Sequence, residues 1–95
     1  DIMPKTTNGF EVSNITPIPV KDEIHMTLKI DVEMPLTIEL FDINGRNVST
    51  IYDQRKFEPG IFEIKIPIDK LNTNVYIMKV INGNNFNIRI FSVIK

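Results

Sequence analysis

Leu36-Thr37-Ile38-Glu39-Leu40-Phe41-Asp42-Ile43-Asn44-Gly45-Arg46-Asn47-Val48 is the stretch whose reading decides the fold. Leu36, Ile38 and Leu40 alternate with polar residues, the period-two pattern of a strand with one buried face. The Asn44-Gly45 pair predicts a type I′ turn, because both residues tolerate the positive φ that such a turn requires. Arg46 to Ile51 then returns as a second strand. The segment is a β-hairpin.

Composition extends that reading to the whole chain. Seventeen of the 95 residues are Ile, and there is no Ala, Trp or Cys. Isoleucine loses rotamer freedom in a helix whereas alanine is the best helix former, so the bias points to an all-β protein. A chain of this length makes one domain with one continuous core. The formal net charge is −1, which supplies no basic field to attract nucleic acid. No apolar run approaches the ~18 residues that a transmembrane helix needs. With no cysteine, disulfide and thiol chemistry are excluded, but the compartment is left open.

Punctuation along the chain sets the remaining strands. Residues 1–9 are polar and carry Pro4 and Gly9, the composition of a flexible linker to something upstream. A start at Asp1, without a signal-peptide layout, suggests a piece excised from a larger protein. Residues 10–95 then form the domain. Phe10 to Ile15 reads as the first strand, broken by Thr16-Pro17-Ile18-Pro19. Each of Pro17 and Pro19 removes a ladder donor, so this stretch suits an edge, or a kink where the chain leaves one sheet for another. Ile24, Met26, Leu28 and Ile30 face inward on a second strand. Phe57-Glu58-Pro59-Gly60 is turn chemistry, with Pro59 fixing φ and Gly60 supplying a positive one. Phe62, Ile64, Ile66 and Ile68 mark a fifth strand and Asn74 to Ile81 a sixth. Asn82-Gly83-Asn84-Asn85 is a hairpin loop leading into a seventh strand, Phe86 to Ile94. About seven short strands with regular turn signals predict an immunoglobulin-like antiparallel β-sandwich. Tyr76, five residues after Leu71, has two readings. One is a tyrosine corner whose hydroxyl bonds upstream backbone; the other is an ordinary core tyrosine.

Catalytic chemistry finds little support, and no cofactor or metal is expected. His25 lies between Ile24 and Met26, hence on the outer face of its strand, with no partner identifiable in the sequence; it reads as a solvated histidine. Asp42 to Asp53 has the length of a calcium loop, but Arg46 stands at the fifth ligand position, Asn47 replaces the glycine and Asp53 the bidentate Glu. The remaining carboxylates are scattered among lysines and arginines, without the fixed pairing that acid/base catalysis needs. No glycine-rich phosphate loop is present. The sequons at Asn14 and Asn47 carry little weight in an Asn-rich chain. What remains is surface, and an unpaired strand edge is a candidate for partner binding or for dimerisation.

A specific likeness sits on these same residues. Ile15-Thr16-Pro17-Ile18-Pro19-Val20-Lys21-Asp22-Glu23-Ile24, Leu40 to Val48, Pro59-Gly60, Val75-Tyr76-Ile77-Met78-Lys79-Val80 and the closing Val93-Ile94-Lys95 resemble the C-terminal sorting domain (type A) of type IX secretion cargo. The likeness runs in order across roughly residues 13–95. The family usually has Pro-Asn-Pro where Pro17-Ile18-Pro19 stands; both prolines are kept. The resemblance implies a domain exported to the periplasm of a Gram-negative bacterium with its passenger and read there by the type IX translocon. The passenger then crosses the outer membrane to be secreted or displayed, and a sortase typically removes the domain or uses it for surface anchoring. Gly45, Arg46, Val93, Ile94 and Lys95 are then the expected recognition features. Asn44, Pro17, Pro19, Pro59, Gly60 and Tyr76 are structural. For Gly45 the alternative is turn geometry alone, for Arg46 a surface ion pair, and for the last three residues strand completion. The rival function is an Ig-like structural, adhesion or docking module retained on a surface protein or on a component of the secretion machinery.

Overall fold

A computed structural model describes residues 9–95; the expected linker, apart from Gly9, lies outside the described residues. Seven strands follow in order: β1 (Phe10–Val12), β2 (Glu23–Ile30), β3 (Met34–Asp42), β4 (Asn47–Phe57), β5 (Gly60–Pro67), β6 (Asn74–Asn82) and β7 (Asn85–Val93). They form two antiparallel sheets, one ordered β1-β2-β5 and the other β4-β3-β6-β7. The second strand pairs with the fifth, the third with the sixth and the sixth with the seventh, as in immunoglobulin-like sandwiches.

The inner faces are those that the alternation marks. Ile24, Met26, Leu28 and Ile30 of β2 are buried together with Ile64 and Ile66 of β5. Leu36, Ile38 and Leu40 of β3 meet them from the other sheet, with Met78 and Val80 of β6 and Phe91 and Val93 of β7. No buried side-chain nitrogen or oxygen among the described residues lacks a hydrogen bond. The apolar layer is therefore continuous and closed.

Four local expectations need correction. The β3–β4 hairpin does not use a type I′ turn. Among the described residues Gln54 is the only non-glycine with positive φ, so Asn44 stays in the ordinary region while Gly45 takes φ 84°. Asp42 accepts from Gly45 N–H at 3.0 Å and donates its own N–H to the Arg46 carbonyl at 2.9 Å. That is a three-residue loop of Ile43, Asn44 and Gly45, in which glycine supplies the one left-handed position. The Asp42 carboxylate stabilises it by accepting from the backbone N–H groups of Asn44 and Arg46. β4 is also longer than expected. It runs through Phe57, whose ring is buried, because a register irregularity around Gln54 keeps the ladder going. Thr37 Oγ1 holds that bulge by accepting from both the backbone and the amide of Gln54. Third, β1 ends at Val12 rather than Ile15. Finally, β3 opens at Met34, two residues ahead of the Leu36 from which the alternation reads.

Between β1 and β2 the chain changes sheets. Thr16 bridges to His25 on β2, and four residues later Val20 bridges to Val93 on β7. Pro17, Ile18 and Pro19 fill the step between the two, where no ladder donor is required. At the β5–β6 corner the Tyr76 hydroxyl donates to the Asn72 carbonyl at 2.9 Å, the bond that a tyrosine corner makes.

Candidate recognition surface

Pairing fixes which loops share an end of the sandwich. Glu23 opposes Pro67, Asp42 opposes Tyr76, Tyr76 opposes Phe91, and Asn74 opposes Val93. The β3–β4 loop, the β1–β2 and β5–β6 connections and residues 93–95 therefore lie at one pole. At the other pole Ile30 opposes both Phe10 and Gly60, which puts Gly9 there with the β2–β3, β4–β5 and β6–β7 turns. The β3–β4 loop and the end of β7 are two strand positions apart, about 10 Å.

The five expected recognition residues meet different surroundings at that pole. Gly45 has nothing within 4 Å of where a Cβ would stand, so its requirement is conformational. The Arg46 side chain is 81% exposed, and its Nε lies 3.7 Å from Asp42 Oδ2. An exposed pair at that distance contributes little and leaves the guanidinium free to exchange partners. Val93 is buried and completes the core. Around it, Val20 N–H donates to the Ser92 carbonyl and Ile94 N–H donates to the Val20 carbonyl. Ile94 projects its side chain to solvent, half exposed. Lys95 is tied at both ends: its backbone N–H donates to Thr73 Oγ1 and its Nζ to the Asp69 carbonyl. With Lys21, Asp22 and Asp69, Ile94 and Lys95 line an open cleft of about 520 Å³. The last residues are thus held in an extended, ordered form with one apolar and one cationic side chain displayed.

His25 has a partner that the sequence did not reveal: its Nε2 lies 3.0 Å from Glu23 Oε1, two residues away on the same face of β2. Both side chains are well exposed, and no group of three or more His, Asp or Glu that could hold a metal occurs among the described residues. Pro59 and Gly60 sit at the opposite pole, where they turn β4 into β5.

A comparison with protein families matches residues 14–95 to the secretion system C-terminal sorting domain, the sorting signal of type IX secretion. No curated protein and no solved structure matches the chain. The family is one of sorting signals, and on that match the retained structural module is not the favoured alternative. Such a domain interacts with the type IX system and implies export across the outer membrane, to the surface or to the medium. No helix among the described residues is long and apolar enough to cross a membrane. The match covers most of the chain and both ends of the sandwich, and the chain belongs to the family of type IX secretion C-terminal sorting domains.

Proposed function

We propose that the pole carrying Gly45, Arg46, Val93, Ile94 and Lys95 is the surface that the type IX translocon reads while the domain is in the periplasm. One observation supports this most: the exposed Arg46 loop and the ordered residues 93–95 share one end of the β4-β3-β6-β7 sheet, two strand positions apart. Gly45 shapes the loop, Arg46 and Lys95 offer cations, and Ile94 offers an apolar contact. Val93 anchors the strip to the core, so the display is rigid and little ordering entropy is lost on binding. A passenger attached upstream enters at the opposite pole, by way of the polar segment before residue 10. A sortase of the system cuts there in a Gram-negative host, releasing the passenger or joining it to the surface.

Export of a reporter fused ahead of residue 1 in a type IX-competent cell tests this. Deleting Ile94 and Lys95, or replacing Arg46→Ala, is expected to leave the reporter in the periplasm, with the domain still folded by circular dichroism. Normal export of both variants would remove this pole from the recognition step.

A further inference from the structure

The outer face of the four-stranded sheet is apolar where folding does not require it. Pairing with β6 turns Asn87, Arg89, Phe91 and Val93 of β7 toward the other sheet and Phe86, Ile88 and Ile90 away from it. The first half of β7 is thus inside out: Phe86, Ile88 and Ile90 are 49%, 44% and 66% exposed while Asn87 and Arg89 point inward. Ile81 and Ile77 of β6 stand opposite Phe86 and Ile90 and widen the strip. Because every second residue shares a face, Ile94 continues the same row into the last residues.

The edge of β7 is already occupied in part. Arg89 Nη1 donates to the Ile88 carbonyl at 2.9 Å, and its Nη2 and Nε donate to the carbonyls of Val12 and Ser13 at 2.6 and 3.3 Å. Val20 holds the edge on either side of Val93. A strand added to this edge would displace those bonds, so the flat face is the more accessible surface.

Size and charge identify the occupant. Two strand widths by the eight residue steps from Phe86 to Ile94 is about 10 by 27 Å, roughly 270 Å². A lasting complex buries about 800 Å² on each partner, so two copies packed face to face would fall well short. Lys79 is the one charged residue on the outward rows of β6 and β7, its ammonium 4.5 Å from the centre of the Phe86 ring, and Glu39 of β3 stands opposite it on the same face. A single cation makes no basic cluster for an anionic lipid surface.

We propose that the translocon component that reads residues 93–95 also packs on this face, through an apolar surface of its own. Phe86, Ile88 and Ile90 are its contacts, and Ile94 joins the two parts of the footprint. The proposal rests on the sorting role of the Ile94 pole and extends it by about 20 Å along β7.

The test uses the same reporter fusion with Ile88→Thr/Ile90→Thr, and separately with Phe86→Thr. Threonine carries the β-branch that suits a strand, and all three positions point to solvent, so melting should barely change. Export is expected to fall about tenfold or more in each variant, the size of effect that loss of a central apolar contact produces. Unchanged export in both, with export still blocked by deleting Ile94 and Lys95, overturns this extended footprint and leaves the sorting pole standing. Export indifferent to that deletion as well overturns both. A purified domain that sediments as a dimer and becomes a monomer on Ile88→Thr/Ile90→Thr assigns the face to a second copy and also overturns the proposal.

Discussion

The outward rows of the two sheets obey opposite rules. On the three-stranded sheet β2 presents Glu23, His25, Thr27 and Lys29, set against Pro67, Lys65, Glu63 and Ile61 of β5. On the four-stranded sheet β7 presents Phe86, Ile88 and Ile90 against Ile81, Lys79 and Ile77 of β6. Both sheets contribute apolar side chains to one shared core, with Asn87 and Arg89 of β7 among the polar members of the inward rows of β6 and β7. A solvated outer face needs charge to stay monomeric and soluble, and the three-stranded sheet meets that need. The β6–β7 half of the other departs from it next to the pole that carries Ile94 and Lys95. Burial accounts for the inner rows of both sheets, and it does not account for this outer one.

The largest expected effect comes from two neighbours that the pleat sends to opposite sides. Phe91 is buried and stacks on Tyr76 with ring centroids 5.9 Å apart, whereas Ile90 is exposed. Phe91→Ala should lose about 3–5 kcal/mol, a large part of the ~5–14 kcal/mol expected for a domain of this size. Ile90→Thr should lose no more than about 0.5 kcal/mol. Equal losses in urea unfolding would mean that the outer row belongs to the core after all.

A middle-sized effect belongs to the polar half of β7. Arg89 crosses the open side of the sandwich to the carbonyls of Val12 and Ser13. Arg89→Met should cost about 1–2 kcal/mol and speed hydrogen exchange in β1, since charged donors to backbone carbonyls are lost. If the variant matched the parent in stability and in exchange, the inversion of β7 would have no structural half.

Charge on the remaining surface has the smallest effect. Glu58, in the turn after β4, is hydrogen-bonded to Glu33, and this bond with the Glu33 charge raises its pKa above the ordinary 4.5, while Lys56 opposes the shift. The folded state then holds that proton more tightly than the unfolded chain does. Its contribution is fully present below about pH 4.5 and is lost as pH rises through the raised value. Glu58→Gln should therefore flatten stability over that window: relative to the parent, its melting temperature should be higher at pH 7 than at pH 4.5. The opposite trend would show that the Lys56 attraction dominates.

Much of the architecture was legible in the sequence where one face is buried and the other solvated. β2 and β5 alternate cleanly, and their inner residues follow directly. β7 is ambiguous because Phe86, Ile88 and Ile90 propose one phase and Phe91 and Val93 the other. Local pattern cannot choose between them; pairing with Tyr76, Met78 and Val80 does. The Asn44-Gly45 signal located the hairpin but misjudged its turn, since the Asp42 carboxylate favours a three-residue loop that only tertiary geometry reveals. The length of β4 was hidden by its bulge, because Gln54 and Thr37 lie 17 residues apart and no short window joins them. Gly45, Arg46 and residues 93–95 were named through a family resemblance. Their adjacency depends on strand order, which alternation does not encode.

The two poles also have a mechanical consequence. Gly9 enters beside Asp31 at one extremity, and Lys95 is pinned to Thr73 and Asp69 at the other. With strands of eight or nine residues between them, the two points stand about 30 Å apart. A pull applied at Gly9 against Lys95 runs along the strands, so the ladders of β2 and β7 resist in shear rather than unzipping bond by bond.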